Sequence, residues 1–264
     1  MDNSSAKRAV VPTVRIFDIP VSKMNMSQTL DYLTSVIESR STHRPHQVVT
    51  ANPIMVMAAL ESAPYKSVME QADLIVPDGA GLVWAAGYIG HPVAERVTGF
   101  DLMQLLLERG EQKGWKVYLL GASPEVIAAA KSRLMERFRK LEIVGCRDGY
   151  FGEDMDAEVI ADIRRAEPDL LFVGRSAATQ EPWIHRYREE LGVPVMMGVG
   201  GSFDVISGKL KRAPVWFRRL RLEWFYRLLQ EPWRARRMLA LPKFVVRIIA
   251  AKKSLQKAQQ KTLN

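Results

Sequence analysis

KVYLLGASPEVIAAAKSRLMERF, residues 116–138, reads as a strand, a tight turn and a helix in direct succession. Val117, Tyr118, Leu119 and Leu120 make a short apolar run of strand length. Gly121 and Ala122 end it. Ser123-Pro124-Glu125 then places a capping residue, a proline suited to the first helical position and a first-turn acid in order. Val126, Ala130 and Leu134 follow at helical spacing. A strand feeding straight into a helix is the repeating unit of a parallel sheet covered by helices.

The same alternation extends in both directions. Strands are expected at Thr13–Ile16, Gln47–Thr50, Leu74–Pro77, Lys116–Leu120, Glu142–Gly145, Leu170–Val173 and Val195–Val199. Helices are expected at Ser27–Ser39, Pro53–Ser62, Tyr65–Gln71, Phe100–Lys113, Pro124–Phe138, Asp156–Ala166 and Glu181–Leu191. Ser27 reads as the start of the first of these, and Gly114 and Gly192 fall where a left-handed residue ends a helix. The fold class is therefore α/β: a Rossmann-like, mostly parallel sheet with helices on both faces. From Gly208 onward the pattern changes to Arg-rich helices, so residues 1–207 are expected to form the catalytic domain and 208–264 a basic helical C-terminal appendage.

Charge marks the same division. Residues 205–264 hold 16 Lys and Arg against two acids, Glu223 and Glu231, a charge of +14 within a chain of +9 overall. The first 204 residues are therefore net negative. Such a split points to a body with an appendage that meets an anion: a membrane surface, a nucleic acid or a phosphate-bearing substrate. The single cysteine, Cys146, excludes an intramolecular disulfide and fits a reducing compartment. Residues 1–12 have no apolar core of the kind a secretory signal needs. Met238 to Ala251, the longest apolar stretch, is interrupted by Pro242, Lys243 and Arg247 and is too short to span a bilayer.

Ligands of open parallel sheets bind beyond the carboxyl ends of the strands. Four polar motifs fall at such ends: Thr50-Ala51-Asn52-Pro53, Pro77-Asp78-Gly79, Leu120-Gly121-Ala122-Ser123 and Val199-Gly200-Gly201-Ser202-Phe203-Asp204. Each taken singly is explained by turn chemistry; their convergence on one edge points to a site. Asp78 reads either as a general base or as a turn or cap residue. Asp154-Met155-Asp156 matches the metal-binding DxD of sugar-nucleotide enzymes, but it directly precedes a helix and is taken as a helix cap. His43, His46, His91 and His185 are scattered without zinc spacing, and neither a dinucleotide GxGxxG after a strand nor a P-loop occurs. In the tail, Trp216, Leu220, Trp224 and Leu228 recur every four positions beside Arg218, Arg219 and Arg221. That stripe suits either a membrane interface or packing against the body. Arg227, Arg234 and Arg237 lie on successive turns and could face a diphosphate.

VVTANP (48–53), ADLIVPDGAG (72–81), RVTGFD (96–101), YLLGA (118–122), QEPWI (180–184), GVGGSFD (198–204) and GKLKRAP (208–214) together resemble the WecG/TagA/CpsF glycosyltransferases, glycosyltransferase family 26. The resemblance implies an inverting, metal-independent transferase. Such an enzyme moves a sugar from a UDP-sugar donor to a lipid-linked diphospho-sugar acceptor while held peripherally at the cytoplasmic face of the membrane. The best-described members transfer N-acetylmannosamine to GlcNAc-diphospho-undecaprenol in teichoic acid linkage-unit assembly. Carried over by motif, Asp78 is the base, and Thr50, Asn52, Arg96 and Gln180 line the sugar pocket. Gly121, Gly200 and Asp204 belong to the same substrate-binding set. The tail closes over the site and brings Arg227, Arg234 and Arg237. No cofactor or metal is implied; the oligomeric state is left open. The loop Gly174–Glu181 lacks the proline and lysine of the family's usual G-L-G-x-P-K-Q-E, so another donor such as UDP-glucose or UDP-ManNAc uronate, in exopolysaccharide assembly, is the alternative. A nucleic-acid-binding protein using the basic tail is the alternative of a different class, but no helix-turn-helix, RRM or zinc-finger pattern accompanies it. A dinucleotide-dependent oxidoreductase lacks its glycine fingerprint.

Overall fold

A computed structural model of the chain describes residues 11–39 and 44–262, with side chains through 253. Most of the amino-terminal segment read for a secretory signal, and His43, lie outside the described residues.

Among the described residues there are eight strands: β1 (Thr13–Ile16), β2 (Ile19–Ser22), β3 (His46–Ala51), β4 (Leu74–Pro77), β5 (Lys116–Gly121), β6 (Glu142–Arg147), β7 (Leu170–Gly174) and β8 (Val195–Gly198). The last six form one sheet in the order β4-β3-β8-β7-β5-β6, with every pair parallel. Their carboxyl ends therefore share one edge, as the α/β reading requires.

Alternation along the strands sorts the core into two faces. Val48, Val76, Leu119, Phe172 and Met197 point to the helices Met26–Glu38, Gly99–Lys113 and Pro124–Arg137. Val49, Ala51 and Ile75 point the other way, to Pro53–Glu61, Ala80–Tyr88 and the C-terminal helix Ala240–Thr262. On that second face Tyr118, Leu171 and Met196 meet the helices Asp156–Ala166 and Ala177–Leu191. Runs buried on both sides explain why these strands read as continuous apolar stretches.

Gly114 and Gly192 are left-handed at helix ends, with φ of 69° and 65°, as expected. Elsewhere local chemistry corrects the sequence reading. The first helix starts at Met26, because Asn25 rather than Ser27 is the cap: its side chain accepts from Gln28 N–H while Gln28 reaches back to Asn25 N–H. The antiparallel β1–β2 hairpin turns through Phe17 and Asp18, both at positive φ, and β2 contains Pro20. Neither turn residue is the glycine or asparagine that normally signals such a turn. Helix Ala80–Tyr88 has no counterpart among the expected helices, since AGLVWAAGY is apolar all round and Gly79 caps it without a side chain. Helix Ala177–Leu191 begins a turn before the predicted Glu181 and carries Pro182 inside it.

The tail is a series of short helices, Val215–Arg219, Glu223–Gln230 and Ala235–Met238, followed by Ala240–Thr262. The predicted stripe is therefore not one helix: the chain turns at Leu220–Leu222, where Arg221 has φ 60°. Trp216, Leu220 and Trp224 are 58%, 61% and 43% exposed, so they do not bury against the body. The last helix is fixed by Phe244 and Ile248, both buried, and by Lys252, whose ammonium donates to the Tyr88 carbonyl and lies over its ring. Among the described residues no helix is long and apolar enough to cross a membrane.

Candidate active site

Beyond the ends of β3, β4 and β8, and beneath the tail, lies a cavity of about 490 Å³. Thr50, Asn52, Asp78, Arg96, Arg227 and Arg234 all line it. The polar wall comes from three chain segments locked together by close contact. Asn52 caps helix Pro53–Glu61, its side-chain oxygen accepting from Ile54 N–H at 3.0 Å and Met55 N–H at 3.1 Å. Pro53 then lies so near the backbone of the next loop that a Cβ at Gly79 or Gly81 would sit 2.6 Å from its ring. That contact explains why Asn-Pro in one motif goes with Asp-Gly-Ala-Gly in another.

Thr98 and Gly99 supply the third segment. Thr98 caps helix Gly99–Lys113 by accepting from Asp101 N–H. A Cβ on Gly99 would meet the Thr50 methyl at 2.8 Å, so only glycine lets the helix start so close to the end of β3. The result delivers the Gly99 N–H to the Asp78 carboxylate. Burial pushes the Asp78 pKa up to about 6; the Gly99 N–H and the Arg96 charge pull it down, while Glu223 and Asp101 push it up. Such a carboxyl is ionised at neutral pH yet basic enough to accept a proton.

The tail closes the cavity through charges. Arg96 pairs with Glu223, and Arg212 pairs with Asp101 while lying over the Phe100 ring. Arg227 and Arg234 share Glu231, at 3.0 and 2.7 Å. Arg227 also presses a guanidinium nitrogen against the loop after β8: a Cβ at Gly201 would be 2.1 Å from it. Glu223 and Glu231, the two acids of the tail, thus both hold arginines of this site, a role that sequence reasoning missed. Their rarity in so basic a segment was the available signal. Gly99 and Gly201 escape a sequence reading for a different reason, since their role is visible only in what they touch.

The remaining expected residues stand away from the cavity wall. Gln180, 3% exposed, braces two loops: its side-chain oxygen accepts from Gly200 N–H at 3.1 Å and Arg175 N–H at 3.3 Å. Its amide nitrogen donates to Glu181, which also accepts from Gln47 and whose pKa burial pushes up to about 7. Gly121, at φ 138°, abuts the Gly174 carbonyl, where a Cβ would be at 2.4 Å. Gly200 is left-handed at φ 50°. Asp204 sits beside Gly201 and pairs with Lys209 at 3.5 Å. Arg237 is exposed on the tail surface.

Asp154-Met155-Asp156 is neither a cap nor a pair of free carboxylates. Met155 occupies the cap position, and Asp156, 6% exposed, accepts from Trp183 Nε1 and Tyr187 OH, each at 2.8 Å. Among the described residues no three His, Cys, Asp or Glu side chains gather as a metal site.

Known proteins are similar to this chain over three quarters or more of its length. The model of the glycosyl transferase WecG/TagA/CpsF family matches residues 14–258. An N-acetylglucosaminyldiphosphoundecaprenol N-acetyl-beta-D-mannosaminyltransferase from Bacillus spizizenii is 43% identical over 202 residues, 76% of this chain and 78% of that protein. Proteins of the same name from Bacillus subtilis and Staphylococcus aureus are each 35% identical, covering 92% and 96% of this chain and 93% and 98% of their own lengths.

Proposed function

Because the chain belongs to the WecG/TagA/CpsF glycosyltransferase family, we propose that it transfers N-acetylmannosamine from a UDP-sugar to a GlcNAc-diphospho-undecaprenol acceptor. The observation that carries this reading is Asp78 on the wall of a cavity also lined by Arg96, Arg227 and Arg234. One carboxylate suffices for an inverting displacement. The acceptor hydroxyl oxygen attacks the anomeric carbon as its proton passes to Asp78. The bond from that carbon to the donor phosphate breaks, and UDP leaves with the electron pair.

UDP departs with growing negative charge, which Arg227 on the cavity wall would offset, while Arg234 is left to the acceptor's diphosphate, so the reaction would need no metal. In this scheme Thr50, Asn52 and Arg96 orient the donor sugar. Gln180 acts on the loops that carry Gly200 and Arg175, and Gly121, Gly200 and Asp204, which stand back from the cavity wall, would shape the loops around the donor. Residues 1–207 would carry the chemistry, and 208–264 would close the site and rest on the inner face of the membrane. Exposed Trp216, Leu220, Leu229 and Trp233 amid arginines suit that interface.

The test is to incubate purified protein with a panel of UDP-sugars and a short-chain GlcNAc-diphospholipid, and to read product masses. A gain of one N-acetylhexosamine from UDP-ManNAc is expected. Transfer from UDP-glucose or the ManNAc uronate alone would change the donor; no product from any donor would overturn the reading.

A further inference from the structure

Sugar and diphosphate chemistry account for only part of the cavity. Ile54, Trp224, Met238, Leu241, Phe244 and Val245 also line it, and none of them offers a polar side chain to a saccharide except the Trp224 indole N–H. These residues are ordered in a telling way. Arg234, Met238, Leu241 and Val245 are spaced four, three and four apart, in a segment that is helical apart from Leu239. That spacing puts the Arg234 guanidinium and an apolar stripe on one helical face. Ile54, at the start of the helix Pro53–Glu61, adds to the apolar lining, and Phe244 packs with Met55 of that helix in one cluster. The stripe also reaches the surface. Trp224 and Val245 line the cavity yet are 43% and 38% exposed, and Leu239 and Val246 beside them are 62% and 65% exposed.

We infer that the Met238–Leu241–Val245 face, with Ile54, is a subsite for the first isoprene units of the acceptor's lipid chain, entered from the side of the exposed apolar residues. The inference rests on the diphospholipid acceptor proposed above. In such an acceptor the prenyl chain begins at the oxygen of the second phosphate. Holding that phosphate near Arg234 therefore sets the first prenyl carbons against the residues one and two turns further along. An aliphatic wall gains by covering such a chain and gains nothing from a hydrated sugar. The subsite would let the enzyme distinguish a prenyl diphosphate from a nucleoside diphosphate, although both present the same charge to the arginines.

The experiment compares geranyl diphosphate with inorganic diphosphate by calorimetry on the full chain, without detergent or vesicles. Geranyl diphosphate is expected to bind about tenfold or more tighter, with a more negative heat-capacity change, as burial of apolar surface requires. Leu241→Ser and Met238→Ser should bring the two ligands to within about twofold of each other, while Leu241→Met retains the preference. Phe244 is left unchanged because it belongs to the core. In parallel, the ratio of kcat/KM for geranyl over methyl GlcNAc-diphosphate should fall in the serine variants toward one. Equal affinity in the wild type, no binding of geranyl diphosphate, or an undiminished preference in both serine variants would each overturn the subsite. If no GlcNAc-diphosphate ester is turned over, the proposed reaction fails, and the calorimetry still decides whether prenyl chains are recognised.

Discussion

Asp78 answers two opposing demands. Its folded-state pKa of about 6 lies above the ordinary value of 3.8, so the fold holds its proton more tightly than the unfolded chain does. Stability from this group is full below about pH 4 and is lost as pH rises through 6, which at neutral pH amounts to as much as about 3 kcal/mol. Asp78→Asn should therefore raise the melting temperature at pH 7.5 and leave it nearly unchanged at pH 4. Turnover should fall about 10²–10⁴-fold with UDP affinity preserved. Wild-type kcat/KM should climb through pH 6 and level off above it. A folded variant with normal turnover would remove Asp78 from the chemistry. Asp156, by contrast, is structural, accepting two hydrogen bonds from a buried Trp and a Tyr. Asp156→Ala should cost roughly 2–4 kcal/mol of stability, while excess EDTA should leave wild-type activity intact. Inactivation by EDTA that is reversed by magnesium or manganese would disprove metal independence.

Among the elements, helix Glu223–Gln230 couples the tail to the chemistry. Glu223 holds Arg96, and its charge raises the pKa of Asp78. Glu223→Gln should lower the midpoint of the acid limb of the pH profile and increase trypsin cleavage near Arg219 and Arg221, with a several-fold higher acceptor KM. An unmoved midpoint with unchanged cleavage would deny that Glu223 couples the tail to Asp78. The elements missed from the sequence were missed for different reasons. Helix Ala80–Tyr88 buries only Leu82, Ala85 and Ala86, yet its open face carries Trp84 and glycines rather than charges, so no 3.6-residue period marks it. The β1–β2 hairpin uses Phe17 and Asp18 in a left-handed turn that Arg15 supports through the Asp18 carbonyl. That brace is not a turn signature.

Between molecule and membrane, the exposed aromatic residues and the charge of the tail should act together. Removing everything after Lys209 should abolish flotation with anionic liposomes, since each basic residue near such a surface contributes about 1 kcal/mol. High salt should weaken binding without erasing it, because the apolar contribution of Trp216, Leu220 and Trp233 is not screened. Retention of the truncated protein on liposomes, or complete release by salt, would contradict this division.

Sheet class, the strands of the main sheet and the edge that carries the cavity were legible in the chain, because apolar runs, helix periods and caps are local and each strand is buried over its own length. The identity of Asp78, Thr50, Asn52 and Arg96 as neighbours was legible through motifs. Their assembly was not. Gly99 against Thr50, Pro53 against Gly79 and Gly81, and Arg227 on Gly201 are contacts between segments far apart in sequence. The roles of Glu223 and Glu231, and the withdrawal of Gln180 and Asp156 into buried hydrogen bonds, likewise depend on which partner lies within reach. Local pattern decides how a segment folds; which charge is neutralised, and which glycine must stay bare, is decided only when distant segments pack.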